Sequence, residues 1–193
     1  MAILIIGRTG AGKDTYATEL EKLGVKGLKS YTTRAKRSPD EDSHIFVSWE
    51  EAEAIEDKIA ETKIQNGGEV PDWYFATKQQ YEEAGYYIID PYGFATLLTS
   101  ELLRGEKFGV VYISADRHIR KARATSRGNK LREVPIFERR DSDESPQFSL
   151  FENWSFGEDV CLIKHHNNSN DLSILSEWAK SDLELFAREG IKF

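Results

Sequence analysis

Residues Ala2 to Ile6 are continuously apolar, the pattern of a strand covered on both faces in a parallel sheet. The run passes directly into a glycine-rich segment, Gly7-Arg-Thr-Gly-Ala-Gly-Lys13. Beyond it Tyr16, Ala17, Leu20 and Leu23 recur at helical spacing, and Gly24 is placed to end that helix in a left-handed turn. Ser48 with Glu51, and Thr77 with Gln80, have the spacing of capping boxes, so helices are expected to begin near Trp49 and near Lys78, the second stopped by Gly85. Tyr86 to Ile89 and Phe108 to Ile113 read as buried strands, each followed by a helix. Val160 to Ile163 reads as a late strand before a helix from about Asp171. Strands alternating with helices imply an α/β fold with a parallel sheet.

Composition narrows the class. A chain of 193 residues that is 39% hydrophobic and 31% charged is one globular domain rather than a fibre or a disordered tail. Its formal charge of −7 repels nucleic acid and anionic membranes, so neither is an expected partner, and any bound anion needs a local basic pocket. The single Cys161 has no partner for a disulfide and no zinc-type spacing, which fits a reducing, cytoplasmic setting. The apolar run at Ala2 is too short for a signal peptide or a membrane span.

Gly7-x4-Gly12-Lys13 matches the core of a phosphate-binding loop, in which backbone N–H groups and a helix N-terminus surround polyphosphate and Lys reaches its end. A bare match arises by chance in roughly 5% of chains this long, so the apolar strand before it and the helix after it carry the assignment. Thr9, Gly10, Ala11, Gly12, Lys13, Asp14 and Thr15 are the expected ATP-binding residues. Asp14 stands where Ser or Thr normally ligates Mg²⁺, and the hydroxyl comes one residue later at Thr15. Farther on, Ser30-Tyr-Thr-Thr-Arg34-Ala-Lys-Arg37 sets two guanidinium groups three residues apart beside hydroxyls, a candidate clamp for a monophosphate.

Here the chain resembles the guanylate kinases. The stretch from Ser30 to Ser48, with Thr-Thr-Arg34, a second arginine at Arg37 and a closing Phe46-Val-Ser48, is similar to theirs. The likeness implies further acceptor residues: Glu61 as a carboxylate in the nucleotide pocket, Tyr74 as a phosphate-binding tyrosine, and Asp90 as a strand-end acid. It also implies Mg²⁺ as the cofactor, with Asp14, Thr15 and Asp90 as candidate ligands. Guanine presents donors at N1 and N2, so a carboxylate suits its edge, although Glu61 also reads as an exposed acid. His44 stands near the family's usual Tyr, and Phe75-Ala76 replaces a Gly-Ser or Gly-Thr pair, removing a hydroxyl unless Thr77 supplies one. The loop from Arg37 to Phe46 is slightly shorter than usual. These departures fall on the base side and leave the phosphate-binding residues in place.

From Arg117 to Arg132 the chain carries seven basic residues and no acid. Arg123 and Arg127, four apart, share a helix face. The resemblance makes them, with Arg139, the catalytic arginines of a lid beside Lys13, and leaves Arg117, Arg120 and Arg132 as solvated charge. His165 and His166, followed by Asn167-Asn168, either border the donor adenine or form a plain polar loop.

The expected architecture is a three-layer P-loop NTPase core (approximately 1–29, 78–115 and 155–193) with an inserted NMP-binding region (30–77) and a lid region (116–154). The implied activity transfers the γ-phosphoryl of ATP to GMP or dGMP. A monophosphate acceptor has its second pKa near 6 and is largely dianionic at neutral pH, so no general base is needed. A deoxynucleoside monophosphate kinase of other base preference is the main alternative. An inactive guanylate-kinase-like binding module would tend to lose the loop and lid arginines that this chain keeps. A GTPase is disfavoured: Asp90-Pro-Tyr-Gly93 matches its DxxG element, but Asn129-Lys-Leu-Arg132 ends in Arg rather than Asp.

Overall fold

The computed structural model describes residues 2–36, 38–65, 69–126 and 130–193, the side chains of 130–132 excepted. In chain order the elements are β1 (Ile3–Ile6), α1 (Lys13–Lys22), β2 (Tyr31–Thr32), β3 (Ile45–Phe46), α2 (Trp49–Ala54), β4 (Lys58–Ile64), β5 (Asp72–Thr77), α3 (Lys78–Glu83), β6 (Tyr86–Ile88), α4 (Pro91–Leu98), β7 (Phe108–Ser114), α5 (Arg117–Ser126), α6 (Lys130–Glu152), β8 (Val160–His166) and α7 (Ser173–Arg188).

The main sheet has the order β6-β1-β7-β8 and every pairing in it is parallel. Beside β6, Leu28 donates its amide to Tyr86 O at 2.8 Å and Gly27 forms a parallel bridge, an incipient fifth strand. Side chains alternate across β1 and β7. Leu4, Ile6, Val110 and Tyr112 pack with Phe94 and Leu97 of α4 and Phe148 and Phe151 of α6. Ile3, Ile5, Val111 and Ile113 pack with Tyr16 and Leu20 of α1 and Leu175 and Phe186 of α7. Helices therefore cover both faces, giving the three-layer α/β arrangement of a P-loop NTPase-like fold. This burial explains why the inner strands read as unbroken apolar runs.

A second, mixed sheet of order β3-β2-β5-β4 is built between residues 31 and 77. One side of it carries an aromatic cluster of Trp73, Phe75 and Trp49 over Ala52. Both capping boxes form: Ser48 Oγ accepts from Glu51 N, and Thr77 Oγ1 accepts from Gln80 N. β4 contains a bulge, with a register shift between Ile59 and Thr62 and a left-handed Ala60 at φ 56°. The bulge lets Ile59 and Ala60 both enter the core, and it decides which way the following residues face.

α6 runs through Pro135 and Pro146. In its C-terminal turns Phe148 and Phe151 are buried in the core.

Candidate functional site

β1 ends at Ile6 and the chain turns through Gly7 to Gly12 before Lys13 opens α1. Gly10 and Gly12 have φ of 80° and 109°, a region that L side chains rarely adopt. A Cβ on Gly12 would also lie 2.5 Å from Asn167 Nδ2. The loop is held from behind. Asn167 Nδ2 donates to Ala11 O (2.9 Å), and Arg123 fixes the Asn167 segment by donating to Asn167 O (2.9 Å) and Ser169 O (2.6 Å). Burial lowers the Arg123 pKa. Lys13 Nζ folds back across the loop to Gly7 O (2.5 Å) and Arg8 O (3.3 Å). The α1 N-cap is Gly12, which has no side chain to cap the first turn. An uncapped helix end beside a lysine is suited to an anion.

Most of the basic helix α5 is paired internally. Arg117 Nε donates to Asp141 Oδ2 (2.7 Å), Arg120 pairs with Asp141 Oδ1 (2.7 Å), and Lys121 pairs with Glu138 (2.7 Å). The guanidinium groups of Arg117 and Arg120 also face the buried Phe137 ring, at 5.8 and 5.7 Å from its centroid. Burial would raise the Asp141 pKa, but Arg120 and Arg117 bring it below the ordinary value. Arg120 Nη1 reaches Thr9 O (3.3 Å), tying this hub to the loop. Arg139, expected at the site, is exposed. Its neighbour Arg140 lines a cavity with Thr9 and Tyr74. Arg127 lies outside the described residues.

Beside the second sheet, Arg34 is buried. It donates to Glu41 through Nη2 (2.7 Å) and Nη1 (3.2 Å) and lies over Phe46 at 5.3 Å. The Glu41 hydrogen bonds raise the Arg34 pKa against the effect of burial. Arg34 Nε is buried without a hydrogen-bond partner. Ser30 Oγ lies 2.9 Å from His44 Nδ1, and the His44 ring meets Tyr74 edge-on at 5.6 Å. Tyr74 pairs with Thr62 across the strands. Arg37 lies outside the described residues.

Glu61 is not brought to this group. Its carboxylate accepts from Trp73 Nε1 at 3.1 Å, and Trp73 belongs to the aromatic cluster. Asp90 is the N-cap of α4; its Oδ1 accepts from Tyr92 N and Gly93 N, both at 2.9 Å. Burial raises its pKa, opposed by those amides. His165 also departs from expectation: it stacks on Trp178 at 4.2 Å and bonds Asp182 at 2.8 Å, turned toward α7.

Two cavities flank His44 and Tyr74. One of about 380 Å³ is lined by Thr9, Thr62, Tyr74, Tyr92, Arg140 and Glu144. The other, about 350 Å³, includes Asp14, Ser30, His44 and Tyr87. The structure thus places loop, sheet and α6 around one space. Among the described residues no cluster of three or more His, Cys, Asp or Glu side chains is built to hold a metal alone. No described helix is long and apolar enough to cross a membrane.

Comparison with protein-family models and with curated proteins finds no match. In structure the chain is similar to a guanylate kinase from Anaplasma phagocytophilum, with a TM-score of 0.58 and 15% identity, over 99% of this chain and 87% of that one. It is also similar to an uncharacterized protein from Eubacterium ventriosum, with a TM-score of 0.43 and 13% identity, over 95% of this chain and 99% of that one. The first likeness, at that identity, shows a guanylate-kinase-like fold.

Proposed function

We propose that the chain is a nucleoside monophosphate kinase of guanylate-kinase type, moving the γ-phosphoryl of ATP to an acceptor monophosphate, with GMP or dGMP the favoured acceptors. The observation that carries this reading is one shared cavity: Thr9 of the loop, Tyr74 of the second sheet and Arg140 of α6 line the same space. On this reading Thr9 represents the donor loop, Tyr74 the acceptor site and Arg140 a neutralising cation at one cavity, a juxtaposition that suits in-line transfer.

In this mechanism Lys13 and the loop amides from Thr9 to Thr15 hold the triphosphate. Arg34, Arg37 and Tyr74 hold the acceptor phosphate, for which the orphaned Arg34 Nε is an available donor. Arg140 neutralises charge on the transferred group, a role that preorganised cations fill in phosphoryl transfer. Arg123 acts at one remove, by fixing the Asn167 segment behind Ala11. The acceptor is already a nucleophilic dianion at neutral pH, so no side chain needs to remove a proton.

Asp14 and Thr15, adjacent in the first turn of α1, offer the carboxylate and hydroxyl oxygens that suit Mg²⁺ beside a phosphate chain, and Asp14 lines the second cavity. Bound there, the ion would neutralise phosphate charge. Asp90 suits it less, because Oδ1 already serves the α4 amides.

A second reading has the same chemistry on a base other than guanine. The Glu61 bond to Trp73 and the use of Thr77 Oγ1 to cap α3 favour it, since both engage groups expected to read guanine. A bisubstrate analogue, adenosine and guanosine joined by a polyphosphate, tests the main reading. It should bind one per chain and raise the melting temperature more than ATP and GMP together; binding no tighter than ATP alone contradicts the shared cavity.

A further inference from the structure

The transfer described above gives no part to Glu144, yet its carboxylate sits on the phosphate loop. Thr9 N donates to Glu144 Oε2 at 2.8 Å, and the Thr9 hydroxyl donates to Oε1. These residues are 135 apart in the chain, so the contact is tertiary. An amide and a hydroxyl gripping both oxygens of one anion form the kind of contact a phosphate oxygen would take.

The position of Thr9 gives the contact its meaning. Thr9 is the loop residue that lines the acceptor-side cavity with Tyr74 and Arg140, whereas Ala11 is wholly buried and Gly12 backs onto Asn167. A phosphoryl group on its way from the loop to the Arg34 and Tyr74 corner has to cross that rim. With the loop read as a donor site, the Thr9 amide and hydroxyl that Glu144 occupies face this cavity, on the side from which the outermost phosphate would leave.

The helix segment that delivers Glu144 is anchored. Arg8 donates to Ser145 Oγ (3.2 Å), lies over the Phe148 ring (5.0 Å) and reaches Glu152 (3.6 Å), while Phe148 and Phe151 are in the core. Release of the loop thus needs only rotation of the Glu144 side chain, with no shift of α6. The acceptor side shows a parallel arrangement, in which Glu41 occupies the fork of Arg34.

We propose that Glu144 is the resting occupant of the outer rim of the loop, displaced when a nucleoside triphosphate binds and left in place by a diphosphate, so that it sets the discrimination between the two. This rests on reading the loop as the donor site. Apparent affinity falls by the fraction of molecules whose site is open, so a contact closed about nine-tenths of the time weakens triphosphate binding about tenfold and leaves diphosphate binding nearly unchanged.

Calorimetric titration of the full chain with Mg²⁺ and either the β,γ-imido analogue of ATP or ADP tests it, using wild type, Glu144→Gln and Glu144→Ala. Glu144→Gln removes the charge and keeps the shape; Glu144→Ala removes the contact. Both should bind the triphosphate analogue about tenfold more tightly, with ADP affinity changed less than twofold. Weaker or unchanged analogue binding, or equal shifts for both nucleotides, overturns the proposal. If Glu144 only ties α6 to the loop, Glu144→Ala lowers the melting temperature and weakens both nucleotides, which also overturns it. A wild-type chain that binds neither nucleotide overturns the donor-site reading itself, and this proposal with it.

Discussion

Arg34 and Glu41 form a two-pronged ion pair, with Nη2 to Oε1 at 2.7 Å, Nη1 to Oε2 at 3.2 Å, and side chains only 9% and 12% exposed. A pair this buried costs most when one member is removed, because the other charge is left without a partner. Glu41→Gln should lower stability by about 3 kcal/mol. Added inorganic phosphate or a nucleoside monophosphate should restore part of the loss, since an anion bound only by the folded state stabilises it. Thermal melts of both proteins with and without phosphate check this; equal phosphate effects on the two would argue against an anion site at Arg34.

Arg139 and Arg140 are neighbours in sequence with opposite surroundings, one exposed and one lining the cavity with Thr9 and Tyr74. Arg140→Ala is expected to reduce kcat by about a hundredfold, the scale for loss of one preorganised charge at a transition state. Arg139→Ala should stay within about threefold of wild type, the size of a screened surface effect. Steady-state rates of the two variants compare them directly.

Asp141 joins Arg117 and Arg120, and its pKa is below the ordinary carboxylate value despite burial. A depressed folded pKa means that its contribution is fully present above the unfolded value of about 3.9 and is lost as pH falls through the folded value. Asp141→Asn should lower stability at neutral pH by about 2 kcal/mol and flatten the acid limb of the melting temperature plotted against pH.

Asp90 carries the opposite sign. Its pKa is raised by burial, so ionising it opposes folding, and this part of the stability declines as pH rises from the unfolded value through the raised one. Asn is as good an N-cap as Asp. Asp90→Asn should therefore match or exceed wild-type stability at neutral pH, whereas Asp90→Ala loses the bonds to Tyr92 and Gly93 and about 1 kcal/mol. Denaturant unfolding at neutral pH separates the two variants.

The elements that were legible in the sequence are those whose signals are local. An unbroken apolar run ending in glycines marks β1 and the loop, and the Ser48 and Thr77 capping boxes mark α2 and α3 to the residue. β4 was missed because its bulge at Ala60 breaks the two-residue period, and the same bulge decides that Glu61 meets Trp73 while Thr62 meets Tyr74. α6 was obscured by Pro135 and Pro146, whose usual reading is a break. Without its register, Arg139 and Arg140 could not be told apart. The contacts Thr9–Glu144 and Arg8–Ser145 span more than a hundred residues, and no local pattern announces them.

The proposed activity is phosphoryl transfer from ATP to a nucleoside monophosphate at the cavity lined by Thr9, Tyr74 and Arg140. Its most direct test is coupled ADP release with ATP and Mg²⁺ against GMP, dGMP, AMP, CMP, UMP and dTMP, with Lys13→Ala as the blank. The expected result is rapid, acceptor-dependent ADP release, strongest with GMP or dGMP and absent in the folded Lys13→Ala protein. No release with any acceptor from a folded wild-type chain, or full activity in Lys13→Ala, would contradict it.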